Sequence, residues 1–170
     1  VKIHIVSDIL DKKNATMELT LMDFSGATKW QKTEEVEITP NTSEVHFTIK
    51  KQDLLKDNSA EDVLLYANLK DGDKNISENF LYFAKPKNMN LPEPNVKSSI
   101  YAVDDGYKIE LTSDQLAKNL YLTVAGVEGQ FSDNYFDLLP GVTKVVKLET
   151  DQKISDIKDK LQMKTIYDVQ

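Results

Sequence analysis

An all-β protein of two consecutive β-sandwiches is what the sequence predicts, and three observations carry it. Short stretches with period-2 alternation recur along the chain between turn signals such as Ser25-Gly26, Asp71-Gly72 and Asp104-Asp105-Gly106. A proline-rich stretch, Lys85 to Val96, interrupts the pattern near the middle. The pattern then restarts and leads to Phe131–Gly141, FSDNYFDLLPG, an aromatic strand against a Pro-Gly stop.

The first half reads as about seven short strands. Lys2 to Asp8 puts Ile3 and Ile5 on one side and Lys2, His4 and Asp8 on the other. Ala15 to Phe24 places Met17, Leu19 and Leu21 on one face. Thr28 to Ile38 is a longer polar strand with the single tryptophan, Trp30. After the Pro40-Asn41-Thr42 turn, Glu44 to Lys50 should turn Val45, Phe47 and Ile49 inward and His46 and Thr48 outward. Lys51 to Asn58 allows one helical turn. Val63 to Lys70 alternates Val63, Leu65, Ala67 and Leu69 inward, and Ile76 to Ala84 returns after the Asp71-Gly72 hairpin.

Lys85 to Val96 holds three of the five prolines and reads as a stiff connector, placing the domain boundary near Asn88. Beyond it, Lys97 to Val103 and Tyr107 to Thr112 form a hairpin. Ser113 to Asn119 offers a helix cap with Leu116 and Ala117 behind it, enough for one or two turns. Leu120 to Gly126 is apolar on both faces, as in a central strand. FSDNYFDLLPG and Thr143 to Glu149 read as a second hairpin reversing at Pro140-Gly141, which brings Phe136, Leu138, Val146 and Leu148 to one core. A polar loop, Thr150 to Lys160, precedes a last strand, Leu161 to Val169, with Leu161, Met163 and Tyr167 on one face; a short helix over Ile154 to Leu161 is the alternative.

Composition narrows the function. Net charge is -7 and all 21 cationic residues are lysines, so no basic stripe is available for phosphates and no guanidinium fork for phosphotransfer. Nucleic acid is excluded as an expected partner. Cysteine is absent, which removes thiolate nucleophiles, disulfides and cysteine-ligated zinc. No apolar run approaches the roughly 20 residues of a membrane helix, and no signal-peptide layout precedes Val1, so the expectation is a soluble piece of a longer chain.

Candidate chemistry is sparse. Asp133 and Asp137 are a possible carboxylate pair, but a retaining glycosidase needs about 5 to 5.5 Å between carboxyls. Four strand residues, at about 3.3 Å each, span roughly 13 Å. The preferred reading has Asp133 and Asn134 bonding nearby backbone as in an Asx turn. Asp71, Asp73 and Asn75 begin like a calcium loop, which Ile76 and Tyr82 then break. His4 and His46 read as solvent-facing strand residues. Trp30, Tyr101, Tyr107 and Tyr121 are candidates for stacking on sugar rings, with core packing as the rival reading. Asn14, Asn41 and Asn75 each open a short glycosylation sequon.

With VSDILDKKNATMELTLMDFSG near the start, ISENFLYFAKPKNMNLPEP in the middle and LTSDQLAKNLYL ahead of FSDNYFDLLPG, the chain resembles the C-terminal part of family 2 glycoside hydrolases of the β-mannosidase type. The resemblance implies two immunoglobulin-like β-sandwiches behind a catalytic (β/α)8 barrel, and a strand ahead of Val1 in the first sandwich. The barrel carries the family's two catalytic glutamates, and the acid/base glutamate follows an asparagine. No Asn-Glu dipeptide occurs here, so no catalytic residue transfers to any position.

The expectation is therefore an immunoglobulin-like sandwich over residues 1–88 and a second over 89–170. Together they form the non-catalytic accessory region of a retaining hydrolase that removes terminal β-linked mannose. No catalytic, metal or cofactor residue is assigned. The implied partner is the catalytic barrel of the same polypeptide, with a glycan-binding or adhesion-type β-sandwich module as the rival reading and a periplasmic or secreted bacterial setting expected.

Overall fold

The computed structural model describes residues 1–153 and 155–169. The chain divides into two compact units, one of Val1–Asp23 with Ala27–Met89, the other of Phe24–Gly26 with Asn90–Gln170.

In the first unit a four-stranded antiparallel sheet, ordered β3 (Thr28–Ile38), β2 (Lys13–Asp23), β5 (Val63–Asp71), β6 (Lys74–Tyr82), packs on a two-stranded sheet of β1 (Lys2–Ser7) and β4 (Thr42–Thr48). Alternation along β2 buries Ala15, Met17, Leu19 and Leu21, and β1 and β4 supply Ile5 and Phe47 to the same core. Each leucine removed from water in this way contributes about 1.5–3 kcal/mol. A single helical turn, α1 (Lys51–Leu55), closes over the core with Leu54.

Two expectations change here. The unit has six described strands rather than about seven. Val45 faces solvent at 46% exposure, because the register steps from Ile3↔Phe47 to His4↔Val45 and so skips His46. One extra residue in a strand moves everything beyond it to the other face.

The second unit is a sandwich of four strands on three. One sheet runs β10 (Gln130–Phe131), β12 (Lys144–Glu149), β8 (Gly106–Thr112), β7 (Lys97–Val103); the other runs β11 (Phe136–Leu138), β9 (Ala117–Val124), β13 (Leu161–Lys164). Ile109, Leu111, Val146 and Leu148 from the first sheet meet Leu120, Leu122, Phe136 and Leu138 from the second in one buried cluster. Strand β9 sits between its two neighbours, as its apolar character led us to expect.

The predicted FSDNYFDLLPG hairpin is not formed. Strand β11 pairs with β9, and β12 pairs with β8 and β10, so Pro140-Gly141 carries the chain from one sheet to the other. Phe136, Leu138, Val146 and Leu148 still share a core, but across the sandwich rather than along one sheet. A Pro-Gly signal encodes a change of direction and leaves open which neighbour satisfies the strand's backbone.

Ser113 to Asn119 is not helical either. Ser113 Oγ accepts the Gln115 N–H at 3.4 Å in a local turn, and Ala117 already begins β9. Seven residues with one capping group cannot offset helix nucleation when Leu116 and Ala117 are buried instead. The last strand stops at Lys164. The Asp168 carboxylate accepts the N–H and hydroxyl of Thr165, turning the chain into a 3₁₀ turn that holds Tyr167. Within the expected polar loop, α2 (Ile157–Lys160) forms one short turn, while Ile154 of the alternative helix lies outside the described residues.

Candidate functional site

The polar residues of FSDNYFDLLPG turn toward the backbone of β9. Where β11 meets β9 the register runs Leu138↔Ala117 and then Phe136↔Leu120, which leaves Lys118 and Asn119 as a bulge with Asn119 at φ 52. The Asp137 carboxylate holds that bulge. Its Oδ1 accepts the Asn119 N–H at 2.7 Å and its Oδ2 lies 3.3 Å from Lys118 Nζ, with both side chains about nine-tenths buried. Asn134 prolongs the ladder one step further, its Oδ1 accepting the Leu122 N–H at 2.8 Å and its Nδ2 donating to the Leu122 carbonyl at 2.9 Å. Tyr135, at φ 59, absorbs the backbone irregularity this requires.

Asp133 and Asp137 thus go to different partners, since Asp133 pairs with Lys144 Nζ at 2.7 Å. The Asx-type reading fits Asn134, whose Oδ1 also accepts the Tyr135 N–H at 3.0 Å. For Asp133 an ion pair takes its place. In the calcium-like stretch, Asp71 pairs with Lys13 at 2.7 Å and Asn75 donates to Glu78 at 3.2 Å, so these side chains do not converge on one point. Among the described residues no three His, Asp or Glu side chains come together as a metal cluster.

His4 lies exposed on β1 opposite Val45, and His46 is half-buried at the bulge in β4. Trp30 packs against the first core and Tyr107 against the second, which favours core packing for both. Tyr101 is half-exposed with Lys108 Nζ 4.8 Å above its ring. Tyr121 stacks on Tyr135 at 4.7 Å, and Tyr135 leaves 65% of its surface to solvent. Asn14, Asn41 and Asn75 are all exposed.

Sequence reasoning missed a polar row on the outward face of β2, β5 and β6. The registers Glu18↔Asn68 and Asn68↔Glu78 set these three side chains side by side. Lys70 Nζ lies 2.7 Å from Glu18, and Tyr66, its ring stacked on Phe80 at 5.2 Å, donates its hydroxyl to Glu78 at 2.8 Å. Burial, then the bond to and charge of Glu78, hold the Tyr66 phenol well above its ordinary range. No local spacing could have revealed this row, because its members come from three strands.

These are two immunoglobulin-like β-sandwich units whose signature residues serve the sheets. The chain belongs to the Mannosidase Ig/CBM-like domain family, whose model matches residues 1–88, and it continues into an Ig-fold domain of the mannosidase type over residues 91–169.

Solved structures agree in fold. A β-D-mannosidase from Dictyoglomus thermophilum superposes with a TM-score of 0.80 at 20% identity, over 96% of this chain and 20% of that one. An exo-chitosanase from Amycolatopsis orientalis gives 0.66 at 13% identity, over 97% of this chain and 24% of that one. The chain thus spans about a fifth to a quarter of these relatives. No curated protein matches it.

Proposed function

We propose that the chain is the non-catalytic accessory region of a β-mannosidase, a retaining hydrolase that removes terminal β-linked mannose, and that it braces the catalytic barrel of the same polypeptide. The observation that carries this reading is the commitment of the signature carboxylates. Asp133 and Asp137 are held by Lys144 and Lys118, and Asp137 also closes the bulge in β9. General acid and nucleophile roles need two carboxyls converging on one glycosidic bond. The domains run over residues 1–88 and 89–170 in this reading.

The first sandwich has room for a further strand. Its two-stranded sheet faces a four-stranded one, so Ser77, Asn79 and Leu81 on the inner face of β6 stay exposed beside β1. A groove of about 330 Å³ runs between them and β1, whose outer edge pairs with no described strand.

The test is deletion of this region from the full-length enzyme. Bracing predicts faster thermal inactivation with KM for a β-mannoside little changed in the surviving activity. A selective rise in KM without loss of thermal stability would contradict it and favour glycan binding.

A further inference from the structure

We infer that the outward face of β2, β5 and β6 binds a hard divalent cation of the calcium class through Glu18, Asn68 and Glu78. Neither the bracing role nor a glycan contact depends on it. Residues opposite one another on antiparallel strands share a face, and Glu18, Asn68 and Glu78 form one row across three strands. The Lys70–Glu18 and Tyr66–Glu78 contacts confirm the shared face, since Tyr66, Asn68 and Lys70 alternate along β5.

The central member of the row points to a ligand. Asn68 is only 7% exposed, yet its Oδ1 accepts no hydrogen bond. Buried acceptors are rarely left so. This one is flanked by two carboxylates, which offer it no donor. On Glu78, Oε2 takes both the Tyr66 hydroxyl and the Asn75 amide, and on Glu18, Oε2 takes the Lys70 ammonium, so each keeps Oε1.

Strands lie about 4.8 Å apart, so two longer glutamates flank a shorter asparagine and can close above it. In the proposed site one oxygen from each of the three turns to a shared cation. A cation is the ligand that satisfies all three at once, and calcium, which tolerates irregular coordination completed by water, suits them better than octahedral magnesium. Two carboxylates partly offset by Lys70 make a weak site, with a dissociation constant of about 10⁻⁴ to 10⁻³ M.

Terbium, a calcium-sized luminescent probe, tests the site because Tyr66 stands beside it to sensitise emission. Saturable emission should appear, be displaced by calcium at lower concentration than by magnesium, and weaken about tenfold in Glu78→Gln, which removes one ligand charge. Lys70→Gln should tighten binding, and in Tyr66→Phe the emission should fall while calorimetric calcium binding persists. Unchanged Trp30 emission verifies that each variant is folded. The inference is overturned if emission does not saturate, if Glu78→Gln binds as well as the parent, or if calcium and magnesium displace terbium equally.

Discussion

Asn134 directs its whole side-chain amide at the backbone of Leu122, accepting from its N–H at 2.8 Å and donating to its carbonyl at 2.9 Å. An asparagine side chain thereby does what the next residue of β11 would do. Asn134→Asp keeps the shape and the acceptor but removes the donor to a carbonyl in the sheet. We expect a loss of about 1–3 kcal/mol, the cost of an unsatisfied buried acceptor. Urea unfolding at neutral pH reads it, and an unchanged midpoint would show that the second bond contributes nothing.

Lys118 and Asp137 form the most buried of the described ion pairs, with side chains 10% and 11% exposed. Removing Asp137 takes the carboxylate from a buried Lys118 whose Nζ then keeps Asn119 Oδ1 at 3.1 Å, a neutral acceptor, so Asp137→Ala should cost about 3–5 kcal/mol. The double variant Lys118→Met with Asp137→Ala should recover part of that loss, leaving the cost of the opened bulge at Asn119. A double-mutant cycle on denaturation midpoints checks the sign of the coupling.

Two glycines separate clash from backbone preference. A Cβ on Gly106, at φ 137, would lie 2.1 Å from the Leu148 carbonyl oxygen, whereas Gly72, at φ 57, has open space around it. Gly72→Ala should therefore cost only the left-handed backbone penalty of about 1–2 kcal/mol. Gly106→Ala must in addition push β8 from the end of β12, and should be the more damaging by thermal midpoint.

Phe136 lies at the centre of the second core with Leu138, Val146 and Leu148. Phe136→Ala should cost about 3–5 kcal/mol. Two separate sandwiches confine that damage, so one thermal transition should fall while the other, followed by Trp30 in the first core, stays in place. A shared shift of both transitions would contradict independent domains.

Much of this fold is legible because alternation is a local property. Thr28–Ile38 and Lys97–Val103 begin and end where turn residues and period-2 patterning place them. Pairing partners are not local. Pro140-Gly141 shows a reversal but not that β11 joins β9 while β12 joins β8, and both pairings bury the same four apolar residues. The bulge that exposes Val45 is equally silent, since one unpaired residue leaves no mark on composition. The row Glu18, Asn68, Glu78 follows from strand order alone, which no spacing within one segment records.

The accessory, non-catalytic role is tested most directly by incubating the purified 170-residue chain with a chromogenic β-mannoside. Its signature carboxylates are held by Lys118, Lys144 and the Asn119 backbone, so no turnover above buffer is expected. Hydrolysis that persists through purification and disappears on changing a single Asp or Glu would contradict the account.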